Sequence, residues 1–184
     1  MIFAYILILL SSLTVLFIII FLLSIQILAI FTTDAPFVSI ANEKLNLIID
    51  GLKLSENSVL YDLGCGDGRI LIQAVKQFPN IKAVGIEVAF LPFLIAKFNT
   101  RKYKNIHIQR ENIFKTDTQD ATHIFLYLFP NAVSNLIPQI IKNSNTPKRI
   151  ISCDFECADR KADEIIVVGK DSDKLVKKLF IYNI

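Results

Sequence analysis

Hydrophobic and polar positions divide the chain into two regimes. The first charged side chain is Asp34, and residues 1–33 hold only seven polar side chains: Ser11, Ser12, Thr14, Ser24, Gln26, Thr32 and Thr33. Residues 1–31 form one charge-free apolar run, longer than the about 20 residues that a helix needs to cross a bilayer. A secretory signal peptide places basic residues ahead of a shorter apolar stretch. Here no Lys or Arg precedes the run. The expected organisation is an uncleaved transmembrane anchor over 1–31, a linker over 32–41 and a folded domain over 42–184. A cleaved signal peptide and a buried core helix are the alternatives for the first segment. Positive charge tends to stay on the cytoplasmic side. Every Lys and Arg follows the run, so a single-pass membrane protein with a cytoplasmic C-terminal domain is expected.

After Asp34 the pattern becomes short and periodic. Asp34-Ala-Pro-Phe-Val-Ser39 reads as linker with Pro36 as its breaker. Leu45, Ile48, Ile49 and Leu52 recur at helical spacing, which predicts a helix over 42–52. Strands are predicted at 58–62, 83–87, 106–109, 122–128 and 149–153, and helices at 70–78, 91–98 and 131–141, the last interrupted by Pro138. Segment 122–128 is continuously apolar, as a strand covered on both faces is. Segments 164–168 and 175–182 flank Gly169-Lys-Asp-Ser-Asp173 and predict a closing hairpin. Alternating strands and helices predict an α/β fold with a mainly parallel sheet. The hairpin requires an antiparallel partner at its end.

Composition sharpens the division. The whole chain is 53% hydrophobic with a mean hydropathy of +0.48. Without its first 33 residues it falls to about 47%, an ordinary globular value. A polytopic membrane protein and a disordered chain are both excluded. Twenty basic and 17 acidic residues leave a net charge of +3. That is too mild for extensive phosphate neutralisation, and no nucleic-acid partner is expected. Lys97, Arg101, Lys102, Lys104 and Arg110 form a local basic cluster, read as a solvated helix end and loop or as an acidic-lipid or acidic-substrate contact. Cys65, Cys153 and Cys157 are odd in number, His107 and His123 stand apart from them, and neither a disulfide framework nor a metal site is expected.

The segment Val59-Leu-Tyr-Asp62-Leu-Gly64-Cys65-Gly66-Asp67-Gly68-Arg69-Ile70 carries the chemistry. A strand feeds three alternate glycines and then a helix opens. Glycine permits a tight turn and close approach to a ligand, and a helix N-terminus presents free N–H groups. The spacing is G-x-G-x-G, not the G-x-G-x-x-G of dinucleotide sites. Asp62 beside the loop suits a cationic amino-acid end better than a pyrophosphate. Nineteen positions beyond Gly68, Glu87 closes the second strand, where a carboxylate can accept both hydroxyls of a ribose. An adenosine bearing an amino acid and a sulfonium, S-adenosylmethionine, fits both. A plain strand–helix turn is the bland alternative.

On these residues the chain resembles the class I S-adenosylmethionine-dependent methyltransferases over 35–184. More narrowly, it is similar to the membrane-anchored relatives of the protein-lysine methyltransferases of the ATP synthase c-subunit and the adenine nucleotide translocase. Ala35-Pro-Phe-Val38, Leu91-Pro-Phe-Leu-Ile-Ala-Lys97 and Leu126-Tyr-Leu-Phe-Pro130 are like segments of that family. The resemblance implies a seven-stranded Rossmann-like methyltransferase sheet with a C-terminal antiparallel hairpin. It implies that Asp62 and the loop Gly64, Cys65, Gly66 and Gly68 hold the methionine moiety, Glu87 the ribose and Asn112 the adenine, while Pro36 and Phe37 close over the donor. Tyr127 and Pro130 would line the acceptor pocket, and Tyr127 or Asp154 would orient an acceptor amine. Departures from the family pattern, Ser39-Ile40 after Val38, Glu111-Asn112 after the third strand and the absence of Trp, lie at the adenine and on the acceptor side.

Lysine of a membrane-associated protein is the favoured acceptor. A lipid or apolar small molecule is the second reading, and a non-catalytic membrane partner the third. The apolar segment Phe90–Ala96 is open to two readings, deep burial or contact with a bilayer or apolar substrate.

Overall fold

The computed structural model describes residues 2–32, 40, 42–169 and 176–184. The chain separates into two compact units, residues 1–36 and 37–184.

The first unit is one helix, α1 (Ile2–Thr32). Its stretch Ile2–Gln26 has a mean hydropathy of 3.1 and no buried residue, and by length and composition it can cross a membrane. Its hydroxyls do not interrupt the apolar surface. Ser11, Ser12, Thr14 and Ser24 each donate to the carbonyl three residues back, at 2.7–2.8 Å. Such internal satisfaction is what a helix without water around it requires.

The second unit is built on a seven-stranded sheet in the order β3-β2-β1-β4-β5-β7-β6. The strands are β1 (Val59–Leu63), β2 (Lys82–Ile86), β3 (Ile106–Gln109), β4 (His123–Leu126), β5 (Arg149–Cys153), β6 (Glu164–Val167) and β7 (Lys178–Asn183). The first five are parallel, and β7 runs antiparallel to both β5 and β6. The expected closing hairpin is thus present, with β7 inserted between β5 and the edge strand β6. In the inner strands β1, β2, β4 and β5 every residue after the first is buried, as continuous apolar runs covered on both faces must be.

Four helices cover the sheet: α2 (Asn42–Leu52), α3 (Arg69–Gln77), α4 (Phe90–Thr100) and α5 (Pro130–Asn143). Ile48, Ile49 and Leu52 of α2 and Leu71 and Ala74 of α3 are fully buried in the core that β1, β5 and β7 share. Pro138 falls inside α5, on its exposed side, while Leu136, Ile137 and Ile140 are buried. The carbonyl that loses its helical partner can therefore bond to water.

Deep burial of Phe90–Ala96 does not occur. Only Ala96 and Thr100 of α4 are buried, and these small side chains face the backbone of Gly68. Phe90, Leu91, Leu94, Ile95 and Phe98 point outward, while Phe93 is half-buried.

One buried cation belongs to the scaffold. Lys148, 4% exposed, enters β5 and donates from Nζ to the carbonyls of Gln119 at 2.9 Å and Ala121 at 2.6 Å, and to Thr146 Oγ1 at 3.1 Å. It fastens the chain leading into β4. Lys148→Met strips three acceptors of a charged donor and is expected to cost about 2–4 kcal/mol. Urea unfolding should show this loss with donor binding unchanged.

Candidate active site

The glycine loop sits at the carboxyl end of β1, next to the carboxyl ends of β2 and β4, where open α/β sheets bind ligands. Gly64, Gly66 and Gly68 have φ of 86°, 55° and 80°, a region that costs other residues about 1–2 kcal/mol. Gly64 and Cys65 both donate to the carbonyl of Ile86, at 2.9 and 3.0 Å, which pins the loop to the end of β2. Side chains close it in as well. A Cβ on Gly64 would lie 2.9 Å from Leu128 Cδ2, and one on Gly68 would lie 3.1 Å from Thr100 Cγ2.

Glu87, immediately after β2, reaches this loop. Its carboxylate accepts from Gly66 N–H at 3.1 Å and from Ala89 N–H at 2.8 Å. The two residues that the sequence separates by a helix are therefore adjacent. Asp62 is 3% exposed. Among the described residues no group donates to its carboxylate. Burial raises its pKa to about 8, and the neighbouring carboxylates of Glu87 and Asp67 push it the same way. Asp67 is largely neutralised by Arg69, whose Nε and Nη2 lie 2.9 and 2.6 Å from its oxygens while Nη1 donates to the carbonyl of Ile40. Asp62 and Glu87 remain the two acidic side chains at the loop, and a cation placed there favours the ionised form of Asp62. Such a pocket accepts a cationic group, and the left-handed loop leaves room that a Cβ would fill. These residues fit the amino-acid and ribose ends of S-adenosylmethionine.

The sulfur of Cys65 points away from the loop, into the contact with Gly85, and its thiol is pushed well above its usual pKa by burial. What Cys65 offers a ligand is its backbone. Asn112 lies three residues past β3. It is exposed, and its Oδ1 accepts from Phe114 N–H at 2.9 Å in a local turn. Pro36 and Phe37 lie outside the described residues.

Tyr127 and Asp154 are brought together. The Tyr127 hydroxyl donates to Asp154 Oδ2 at 3.0 Å, joining the ends of β4 and β5. Burial and the Asp154 carboxylate raise the phenol pKa, so this hydroxyl stays neutral. Asp154 also accepts from the backbone of Val176 at 2.6 Å, of Lys177, and of Lys178 at 3.2 Å. Its carboxylate is thus fully engaged, and its own φ is 64° with that of Val176 at 57°. Two non-glycine residues in this sparsely populated region meet at one hydrogen bond, a concentration of strain typical of functional sites. Pro130 is exposed in the first turn of α5, directly after these groups.

Residues not singled out as site candidates complete the site. Leu128 packs on Gly64, Asn99 Nδ2 donates to the Asp67 carbonyl at 3.1 Å, and Gly85 receives Leu71, Cys65 and Ile108. Leu128 lies in the family-like segment Leu126–Pro130, and Gly85 had a signal of its own: a lone glycine in an apolar strand marks a close approach.

Residues 62–164 match the pattern of the ANTKMT methyltransferase domain. The chain belongs to this family. The match begins at Asp62 and spans the glycine loop, Glu87, Asn112, Tyr127, Pro130 and Asp154, so these residues of the ANTKMT-family chain all lie within it. A protein-lysine N-methyltransferase of Saccharolobus islandicus (strain REY15A) is 31% identical over 141 residues, which cover 75% of this chain and 88% of that protein. An ATP synthase c-subunit lysine N-methyltransferase of Caenorhabditis elegans is 26% identical over 137 residues, covering 69% and 70%. Among solved structures, an RNA methyltransferase from Salinibacter ruber in complex with S-adenosyl-L-homocysteine superposes with a TM-score of 0.71. It is 23% identical and covers 79% of this chain and 93% of its own, a likeness of fold. The ANTKMT-family chain is an S-adenosylmethionine-dependent methyltransferase.

Proposed function

We propose that this enzyme methylates a lysine side chain of a membrane-associated protein, and that α1 tethers it to that membrane with the catalytic domain on the cytoplasmic side. The observation that supports the reading is that the Asp62–Gly68 loop, Glu87 and the Tyr127–Asp154 pair all follow the carboxyl ends of neighbouring parallel strands. The lysine methyltransferase names of its relatives support the acceptor, and the length and hydropathy of α1 support the tether.

In this reading Asp62 and the backbone of the loop bind the amino-acid end of the donor. Glu87 holds the ribose, Asn112 the adenine, and Pro36 and Phe37 close over them. When bound, the donor supplies an electrophilic methyl group that leaves a sulfonium as a neutral thioether. The remaining work falls to this chain and is mostly orientation, worth about 7–11 kcal/mol in favourable cases. The acceptor amine must approach with its lone pair free. Its proton leaves to solvent, helped by desolvation between Tyr127 and Pro130. Tyr127 donates its own hydrogen to Asp154, so its oxygen is left to accept from the amine N–H and aim the lone pair. Asp154 acts as a positioning residue for Tyr127.

Membranes incubated with labelled S-adenosylmethionine and the wild-type protein are expected to gain label in a small proteolipid, recovered as methyl-lysine. Glu87→Ala removes charge-assisted hydrogen bonds to two hydroxyls and is expected to weaken donor binding about 30- to 100-fold, with a matching loss of label at low donor concentration. Label in extractable lipid would move the acceptor to the lipid class. No label in any fraction would overturn the enzyme reading.

A further inference from the structure

The outer face of α4 is apolar and has no covering element among the described residues. Phe90, Leu91, Leu94, Ile95 and Phe98 are 54%, 58%, 43%, 50% and 63% exposed. Their spacing of one, three, one and three residues places them on a single stripe of the helix. A soluble surface scatters such residues singly; a contiguous patch marks an interaction site.

Charge selects the partner. From Val88 to Arg110 the chain contains Lys97, Arg101, Lys102, Lys104 and Arg110 and no Asp or Glu. This stretch carries +5 in a chain of net +3, so the rest of the chain nets −2. Two of these cationic heads sit directly on rings of the apolar stripe, and Lys97 is on the same helix. The Arg101 guanidinium lies 3.8 Å from the centre of the Phe98 ring and that of Arg110 lies 5.2 Å from the Phe90 ring. Lys97 Nζ lies 5.6 Å from the Phe93 ring. Apolar side chains edged by basic heads are the composition of a helix lying in the headgroup layer of a membrane. A second copy of this chain would set five cations against five. An apolar transmembrane segment would leave the basic rim without counter-charge.

We propose that the α4 face is a docking surface for an anionic lipid bilayer, formed by the catalytic domain itself and independent of α1. Phe90, Leu94 and Phe98 enter the boundary between headgroups and acyl chains, and the basic rim pairs with lipid phosphates. The surface is tied to the donor site by short connections. Helix α4 begins three residues after Glu87, and its buried Ala96 and Thr100 pack against Gly68. Docking would therefore fix the height of the glycine loop and of the acceptor entrance above the bilayer.

The chain contains no Trp, so one introduced Trp reports alone. Full-length Leu94→Trp is mixed with vesicles carrying brominated acyl chains, of phosphatidylcholine alone or with phosphatidylglycerol. Val167→Trp, 68% exposed on β6 at the far edge of the sheet, is the reference. Both probes are carried by the same α1-bearing chain, and the difference between them reports which face of the catalytic domain meets the vesicle. The probe at 94 is expected to be quenched several-fold more than that at 167 in anionic vesicles. High salt, or reversal of Lys97, Arg101 and Lys102 to Glu, is expected to remove that excess while donor-induced thermal stabilisation persists. Equal quenching at 94 and 167 would overturn the proposal. So would quenching that is the same in both lipids and insensitive to salt, which would indicate an uncharged apolar partner. A blue shift that grows with protein concentration without vesicles would overturn it too, assigning the face to self-association.

Discussion

Asp62→Asn is expected to weaken donor binding by about 30-fold or more and, at the same time, to stabilise the ligand-free protein. Both effects have one cause. The Asp62 carboxylate is buried beside Glu87 with no donor to it among the described residues, and its pKa rises to about 8 from an ordinary 3.8. A group whose folded pKa is raised contributes stability that is full below the unfolded value and is lost as pH rises through the folded value. The ligand-free wild type should therefore lose stability between about pH 4 and pH 8. The Asp62→Asn variant should flatten that slope, with its largest relative gain above pH 8. A cationic ligand reverses the balance by giving the buried carboxylate a partner. Truncating one member of a buried charge pair costs about 2–5 kcal/mol in binding, which is about 30- to several-thousand-fold. Below pH 8 the wild type must release a proton on binding, so donor affinity should rise with pH toward that value and then level off. Thermal unfolding across the range from acid to mildly alkaline pH measures the first effect. Calorimetric titration with S-adenosylhomocysteine, for wild type and Asp62→Asn, measures the second. Binding by the variant within about threefold of wild type would remove Asp62 from the site.

Gly85→Ala is expected to destabilise the protein by about 3 kcal/mol, or about 6–12 °C in Tm for a chain of this size. The added Cβ would lie 2.7 Å from Leu71 Cδ1, 2.8 Å from Cys65 Sγ and 2.8 Å from Ile108 Cδ1. Leu71 and Cys65 are only 0% and 6% exposed, so neither can swing into solvent. Displacing Cys65 also disturbs its N–H bond to Ile86 and with it the donor loop. Donor affinity should fall together with stability. Gly51→Ala is the contrast. Its Cβ would meet Leu179 Cδ1 at 3.1 Å with the next atoms at 3.6 Å and beyond, and helix propensity favours Ala by up to about 1 kcal/mol. That variant should remain within about 1 kcal/mol of wild type by urea unfolding.

Local order was legible along the chain because it rests on short-range rules. The helix 42–52 and strands 106–109 and 149–153 have the limits that periodicity implied. The closing hairpin was visible as two strand patterns with a turn between, yet its strand order was not: β7 lies inside the sheet and β6 at the edge. Nothing local distinguishes those two strands, since pairing depends on which of them the end of β5 meets. The glycine loop of the candidate donor site was legible for the same reason as the strands. A G-x-G-x-G turn needs left-handed backbone, and the three positive φ values meet that need. The acceptor side was legible only as separate residues. Tyr127 and Asp154 stand 27 positions apart, and the saturation of Asp154 by the start of β7 has no sequence signature.

The sequence by itself determined the apolar N-terminal helix, the order of strands and helices, the glycine loop and the pairing of that loop with an acidic strand end. These follow from side-chain periodicity and backbone stereochemistry, which act within a few residues. Tertiary structure alone decided which side chains lost their water. It buried Asp62 beside Glu87, filled the space above Gly85, engaged both oxygens of the Asp154 carboxylate and turned Phe90, Leu91, Leu94, Ile95 and Phe98 outward. Burial and hydrogen-bond saturation are sums over neighbours from distant segments, so they come into being only when the sheet closes.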